Sequence, residues 1–178
     1  MNVLLIGMRA SGKSTIGAAL ALRLDARFYD LDDVVANEMG HPSAAEAIHV
    51  AGFDRFRMTE SRMLDTLLRD DRAVIALGGG TPTAPGAKGM IQQARTSNTA
   101  RVVFLDESVD EIRSRIAKDG VSKRPPILGT DSVAEVEQVL SQRHPAYLEL
   151  ADVVIRPAGR DVAALVAEID EALGLPRH

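Results

Sequence analysis

The 178-residue sequence contains no cysteine and no tryptophan, and only 3% of its residues are aromatic. Without cysteine there is no disulfide, no thiolate metal site and no sulfur nucleophile, and the composition fits a reducing compartment. A nucleic-acid surface needs a basic face and stacking rings; a net charge of -4 at pH 7 and so few aromatics supply neither. Long hydrophobic runs are missing too. The first apolar run, Val3-Leu4-Leu5-Ile6, leads straight into Gly7 and is too short for a signal segment or a membrane span. No N-K-x-D string occurs, which argues against a guanine-reading GTPase switch. The expectation is a soluble cytoplasmic protein whose partner is a small molecule, with no nucleic acid and no membrane.

What is present is an alternation. Residues 2–7, 26–32, 72–80, 101–106 and 152–157 read as strands, each followed by a longer amphipathic stretch. Such alternation implies one α/β domain over 1–178, with parallel strands and right-handed crossover helices on both faces of the sheet. Capping boxes at Ser43–Glu46, Ser108–Glu111 and Ser132–Glu135 mark three helix starts. Residues 118–131 combine glycine, prolines and clustered cations, and read as a mobile loop.

The most specific signal is GMRASGKST at 7–15, between the first strand and the first helix. Gly7, Gly12, Lys13 and Ser14 complete G-x-x-x-x-G-K-[ST], in which glycines let successive N–H groups converge on phosphate oxygens. Lys13 is positioned for the β- and γ-phosphates and Ser14 for Mg²⁺. Gly7, Ala10, Ser11, Gly12, Lys13, Ser14 and Thr15 are the expected nucleotide contacts.

Other segments add candidates. Asp30 and Asp32 fall at the end of the second strand, facing one way, to anchor Mg²⁺ or accept a proton; the alternative is that Asp32 or Asp33 caps the next helix. Gly78-Gly79-Gly80 ends the third strand, suggesting close approach of a ligand or a plain turn. Asp106-Glu107 superficially matches a motor-type metal carboxylate, but runs into the Ser108 box and reads better as a helix start. Arg57, on a helix, and Arg143, near the end of another, are singly no more than solvated cations. Arg124, on the presumed mobile loop, is placed to close over a triphosphate.

Taken in order, the phosphate loop, Asp30-Leu-Asp32, Phe56-Arg57 with Glu60, the triple glycine, Arg124-Pro125 and Arg143-x-Pro145-x-Tyr147 resemble the shikimate kinase family across nearly the whole chain. The resemblance implies a three-layer P-loop kinase fold: a five-stranded parallel sheet flanked by helices, a substrate-binding segment at about 32–61 and a lid at about 118–131. It implies transfer of the γ-phosphoryl group of ATP, with Mg²⁺, to the 3-hydroxyl of shikimate by a monomer. By the same resemblance Lys13, Asp32 and Arg124 are catalytic, and Arg124 also contacts the nucleotide. Ser14 and Asp30 hold metal, and Asp32, Arg57, Gly79, Gly80 and Arg143 bind substrate. Arg115 corresponds to an arginine that stacks on adenine. The sequence departs from the family at Ile48, Phe53, Met58-Thr59 and the lid string RPPIL. A kinase for gluconate or a nucleoside monophosphate is the alternative, and a nucleotide-binding regulator without catalysis a third reading.

Overall fold

The structure is a computed structural model and describes residues 1–119 and 133–174. Along the chain run β1 (Asn2–Ile6), α1 (Lys13–Leu24), β2 (Arg27–Asp30), α2 (Leu31–Glu38), α3 (Ala44–Ala51), α4 (Phe53–Leu68) and β3 (Ala73–Ala76). They are followed by α5 (Ala87–Thr96), β4 (Ala100–Leu105), α6 (Val109–Asp119), α7 (Val136–Leu150), β5 (Val153–Ile155) and α8 (Val162–Leu173). A 3-10 turn at Thr81–Thr83 follows β3.

The strands form one parallel sheet in the order β2-β3-β1-β4-β5, with Leu4 opposite both Ile75 and Val102. Central strands covered on both faces carry apolar side chains in both directions, which is why β1 and β3 are buried at every position and show no polar alternation. Val3, Leu5, Val74 and Val103 pack on α1 and α8 through Ile16, Leu20, Leu165 and Ile169. Leu4, Ile6, Ile75 and Phe104 face the other way, onto α2 and α4 to α7. The three layers expected from the alternation are therefore present. Among the described residues, no helix is long and apolar enough to cross a membrane.

In two of the capping boxes the serine caps its helix: Ser43 Oγ accepts from Glu46 N–H and Ser108 Oγ from Glu111 N–H, each at 3.2 Å. The third box begins at Ser132, which lies outside the described residues; α7 runs from Val136, and the buried Glu135 carboxylate accepts from Arg9 Nη2 at 2.6 Å. Arg143 is well inside α7, because the helix continues through Pro145 to Leu150.

Helix α1 differs from the capped helices. Its N-cap is Gly12, no side chain caps it, and no acidic residue occupies its first turn. The positive end of the helix thus meets only the glycine loop, an arrangement suited to an anion. Because α1 leaves β1 on one face while β3 and β4 feed helices on the other, the strand ends diverge there and open a crevice at the carboxyl edge.

Candidate active site

Residues 7–15 wrap the crevice floor. Gly12 has φ +95° and Gly7 φ +141°, values that side-chain-bearing residues rarely adopt, and even Ala10 is left-handed at φ +64°. Lys13 Nζ donates to the carbonyls of Gly7 (3.0 Å) and Met8 (2.8 Å), so a buried ammonium curls back over the loop. Ser11 is buried, and its hydroxyl finds no partner among the described residues. Ser14 Oγ donates to Asp30 Oδ2 at 2.5 Å. A hydroxyl and a carboxylate beside a phosphate loop form the hard, oxygen-only donor set that Mg²⁺ takes along with water and phosphate oxygens. The residues present therefore fit that ion. From Ser11 to Thr15 a cleft of about 410 Å³ extends to a wall that includes Arg115, Lys118, Pro157 and Arg160. A nucleotide whose phosphates sit on the loop has its nucleoside against that wall.

The acidic pair is arranged differently from the expectation of one strand face. Asp30 ends β2 and caps α2, its Oδ1 accepting from Asp32 N–H at 3.2 Å, whereas Asp32 lies in the first helical turn. The cap is Asp30 rather than Asp32 or Asp33, and the turn of the helix brings Asp32 inward. A methyl placed at Gly78 would lie 2.6 Å from Asp32 Oδ1 and 3.0 Å from Glu60 Oε1, so the absence of a side chain there admits both carboxylates. Burial and the like charges of Asp30 and Glu60 push the Asp32 carboxyl up to about 6, against the opposing pull of Lys13 and Arg57.

Beside Asp32, Glu60 bridges two groups, accepting from Arg57 Nη1 at 2.5 Å and from Thr81 Oγ1 at 2.6 Å. The Arg57 guanidinium also lies over the ring of Phe53, 4.7 Å from its centroid. A side chain at Gly80 would overlap Arg57 Nη2 and come within 3.3 Å of Arg143 Nη2. Arg57 from α4 and Arg143 from α7 therefore converge on one glycine. Tyr147, one turn beyond Arg143, donates from its hydroxyl to Gly79 O at 2.5 Å; burial pushes that phenol up to about 12, so it remains a donor. A Cβ on Gly79 would in turn stand 3.1 Å from Arg9 N, so the triple glycine backs directly onto the phosphate loop.

The structure thus brings together Lys13, Ser14, Asp30, Asp32, Arg57, Gly79, Gly80 and Arg143. Gly7, Ala10, Ser11, Gly12 and Thr15 complete the loop and the start of α1. Arg124 and lid residues 120–131 lie outside the described residues. The segment assigned to substrate comprises α2, α3 and the first part of α4. Ile48 packs against the core, while Phe53 is half exposed above Arg57. Sequence reasoning missed the supporting roles of Glu60, Phe53 and Tyr147, as well as the cleft wall at Pro157 and Arg160. Position at the carboxyl end of the last strand was the one available signal for that wall.

Strand order, glycine loop and a polar acceptor pocket beside it define a P-loop kinase of small molecules. The comparisons with known proteins narrow the class. A family model described as shikimate kinase matches residues 9–174. A shikimate kinase of Francisella tularensis subsp. holarctica is 32% identical over 173 residues, covering 97% of this chain and 94% of that protein. The structure of an Acinetobacter baumannii shikimate kinase in complex with shikimate superposes with a TM-score of 0.86 at 26% identity, covering 97% and 93% of the two chains. A gluconokinase from Sinorhizobium meliloti shares the fold at a TM-score of 0.59 and 16% identity, with 97% and 91% covered. The chain belongs to the shikimate kinase family.

Proposed function

We propose that this chain transfers the γ-phosphoryl group of MgATP to the 3-hydroxyl of shikimate. The observation that carries this reading is the convergence of the Arg57 and Arg143 guanidinium groups at Gly80, across from Asp32 and next to the phosphate loop. Planar guanidinium forks grip a carboxylate at one end of a small acid, while a carboxylate and backbone groups take its hydroxyls at the other.

In the proposed reaction the acceptor oxygen bonds to the γ-phosphorus as the bond from that phosphorus to the β–γ bridging oxygen breaks, leaving ADP. The hydroxyl proton passes to Asp32. Lys13 faces the charge that develops on the phosphoryl oxygens, and Arg124 is assigned the same duty from the lid. Ser14 and Asp30 would hold Mg²⁺, which would supply charge neutralisation for the transferring phosphoryl group. Because phosphoryl transfer passes through a loose transition state, alignment and charge matter more than a strong base.

The product tests this directly. Incubation with MgATP and shikimate is expected to give ADP and a single phosphomonoester in equal amounts, with phosphorus NMR coupling to the proton at C3; an ester elsewhere on the ring, or ADP without ester, overturns the assignment.

The clamp makes its own prediction. Charge-assisted hydrogen bonds contribute about 1.5–3 kcal/mol each, so Arg57→Ala is expected to raise the shikimate KM about 10- to 100-fold. The KM for ATP should stay near its original value and kcat change far less. Steady-state kinetics with each substrate varied in turn checks it, and an unchanged shikimate KM removes Arg57 from the clamp.

A further inference from the structure

Glu107 follows β4 at the carboxyl edge of the sheet, and its side chain is fully shielded from solvent. The expectation for it was to start a helix, and it does contribute there: Oε1 accepts from Ser108 N–H at 3.0 Å. A buried carboxylate is costly unless its second oxygen is also compensated; Oε2 accepts no hydrogen bond among the described residues and is compensated by an ion pair with Arg115 Nη2 at 3.0 Å. Arg115 has each remaining edge engaged as well. Its Nη1 donates to Ala10 O of the phosphate loop at 3.0 Å and its Nε to Glu111 Oε1 at 3.0 Å. Held by two hydrogen bonds and the ion pair with Glu107, the guanidinium is a fixed plate in the wall of the nucleotide cleft. Such a plate presents a flat face, the surface on which an aromatic base stacks.

We infer that Glu107 is a positioning residue for nucleotide binding: from beneath the cleft it locks Arg115 to the phosphate loop and so fixes the surface that receives the base. The inference rests on the proposed function, since it takes the cleft to hold ATP. Of the two carboxylates on Arg115, Glu107 is the decisive one. Glu111 is two-fifths exposed, and a pair in water is weakened by hydration and salt.

The test is calorimetric binding of ADP and, separately, of inorganic tripolyphosphate, which has the phosphates but no base. Glu107→Gln keeps the shape and an acceptor for Ser108 N–H but removes the charge that holds Arg115. Its ADP Kd is expected to rise about 5- to 10-fold, with tripolyphosphate affinity and the shikimate KM unchanged. Glu111→Gln should move the ADP Kd less than 2-fold. Arg115→Lys, which keeps a charge but lacks the planar fork, should weaken ADP to a similar degree, and adding Glu107→Gln to it should change little more. ADP binding unaltered in Glu107→Gln overturns the inference, as does a parallel loss of ADP and tripolyphosphate, which would mean that the loop itself was disturbed. Failure of the unaltered protein to bind ADP at all would instead overturn the functional reading beneath it.

Discussion

Lys13→Ala is expected to lower kcat by about 10²–10³-fold, the loss that follows removal of one preorganised charge from a site of developing negative charge. The ammonium is held by the carbonyls of Gly7 and Met8 at the mouth of α1, where the uncapped helix end adds to its positive potential. Only the phosphoryl oxygens that gather charge in the transition state need this field, so the main effect should be on kcat. A second readout separates this role from simple disruption of the loop. Lys13 is one of the charges that hold the Asp32 carboxyl down, so its removal should push that group above about 6. The acid limb of kcat against pH should then move to higher pH in Lys13→Ala. A large loss of kcat with the limb in place would mean that Lys13 does not act on Asp32, and near-normal turnover would remove it from catalysis.

Asp32→Asn carries the other large effect, with opposite signs for activity and stability. Turnover should fall by about 10²-fold or more with loss of the proton acceptor. Stability should rise. The folded protein holds the Asp32 proton up to about pH 6, whereas the unfolded chain releases it near the ordinary value of 3.8. Between those values the unfolded state is favoured progressively as pH rises, and above about 6 the ionised side chain costs the native state on the order of 2–3 kcal/mol. Asparagine avoids that cost. For a chain of this size each kcal/mol corresponds to about 2–4 °C in Tm, so at pH 7.5 the variant should melt several degrees higher. Below about pH 4 the two proteins should melt together, since Asp32 is then neutral in both states. Thermal unfolding across this pH range checks the sign. A variant less stable than the parent at pH 7.5 would show that Asp32 is held by favourable contacts rather than strained by its acidic neighbours.

These two residues mark the extremes of what was legible in the sequence. The phosphate loop was readable because its geometry is local: glycine torsions, a preceding strand and a following helix all lie within one short string. The five strands were readable for a related reason, as buried parallel strands form apolar runs bounded by polar stretches. Asp32 was read onto the strand end but lies in the following helix, because Asp30 makes both the strand end and the helix cap, a junction that two-residue spacing alone does not reveal. The acceptor pocket depended on distant segments. Glu60 and Phe53 lie about a turn from Arg57 on α4, but nothing local to Arg57 states that Thr81 will tie Glu60 from another segment, or that Arg143 will meet Arg57 at Gly80; the family pattern suggested the pairing and the fold supplies the proximity. The pairing of the buried Glu135 with Arg9, 126 positions away, was likewise beyond local reading. Glu107 combined both cases, since its helix-starting contact was local and its contact with Arg115 was not.

The most direct test of the central claim is acceptor-dependent ADP release by the purified protein with MgATP, offering shikimate, gluconate and nucleoside monophosphates in separate reactions. Release with shikimate and silence with the others is the predicted result, and it would make Arg57 and Arg143 a carboxylate clamp in a shikimate-phosphorylating enzyme. Silence with shikimate together with turnover on another acceptor would contradict the account of the pocket, leaving only the kinase fold and its phosphate loop.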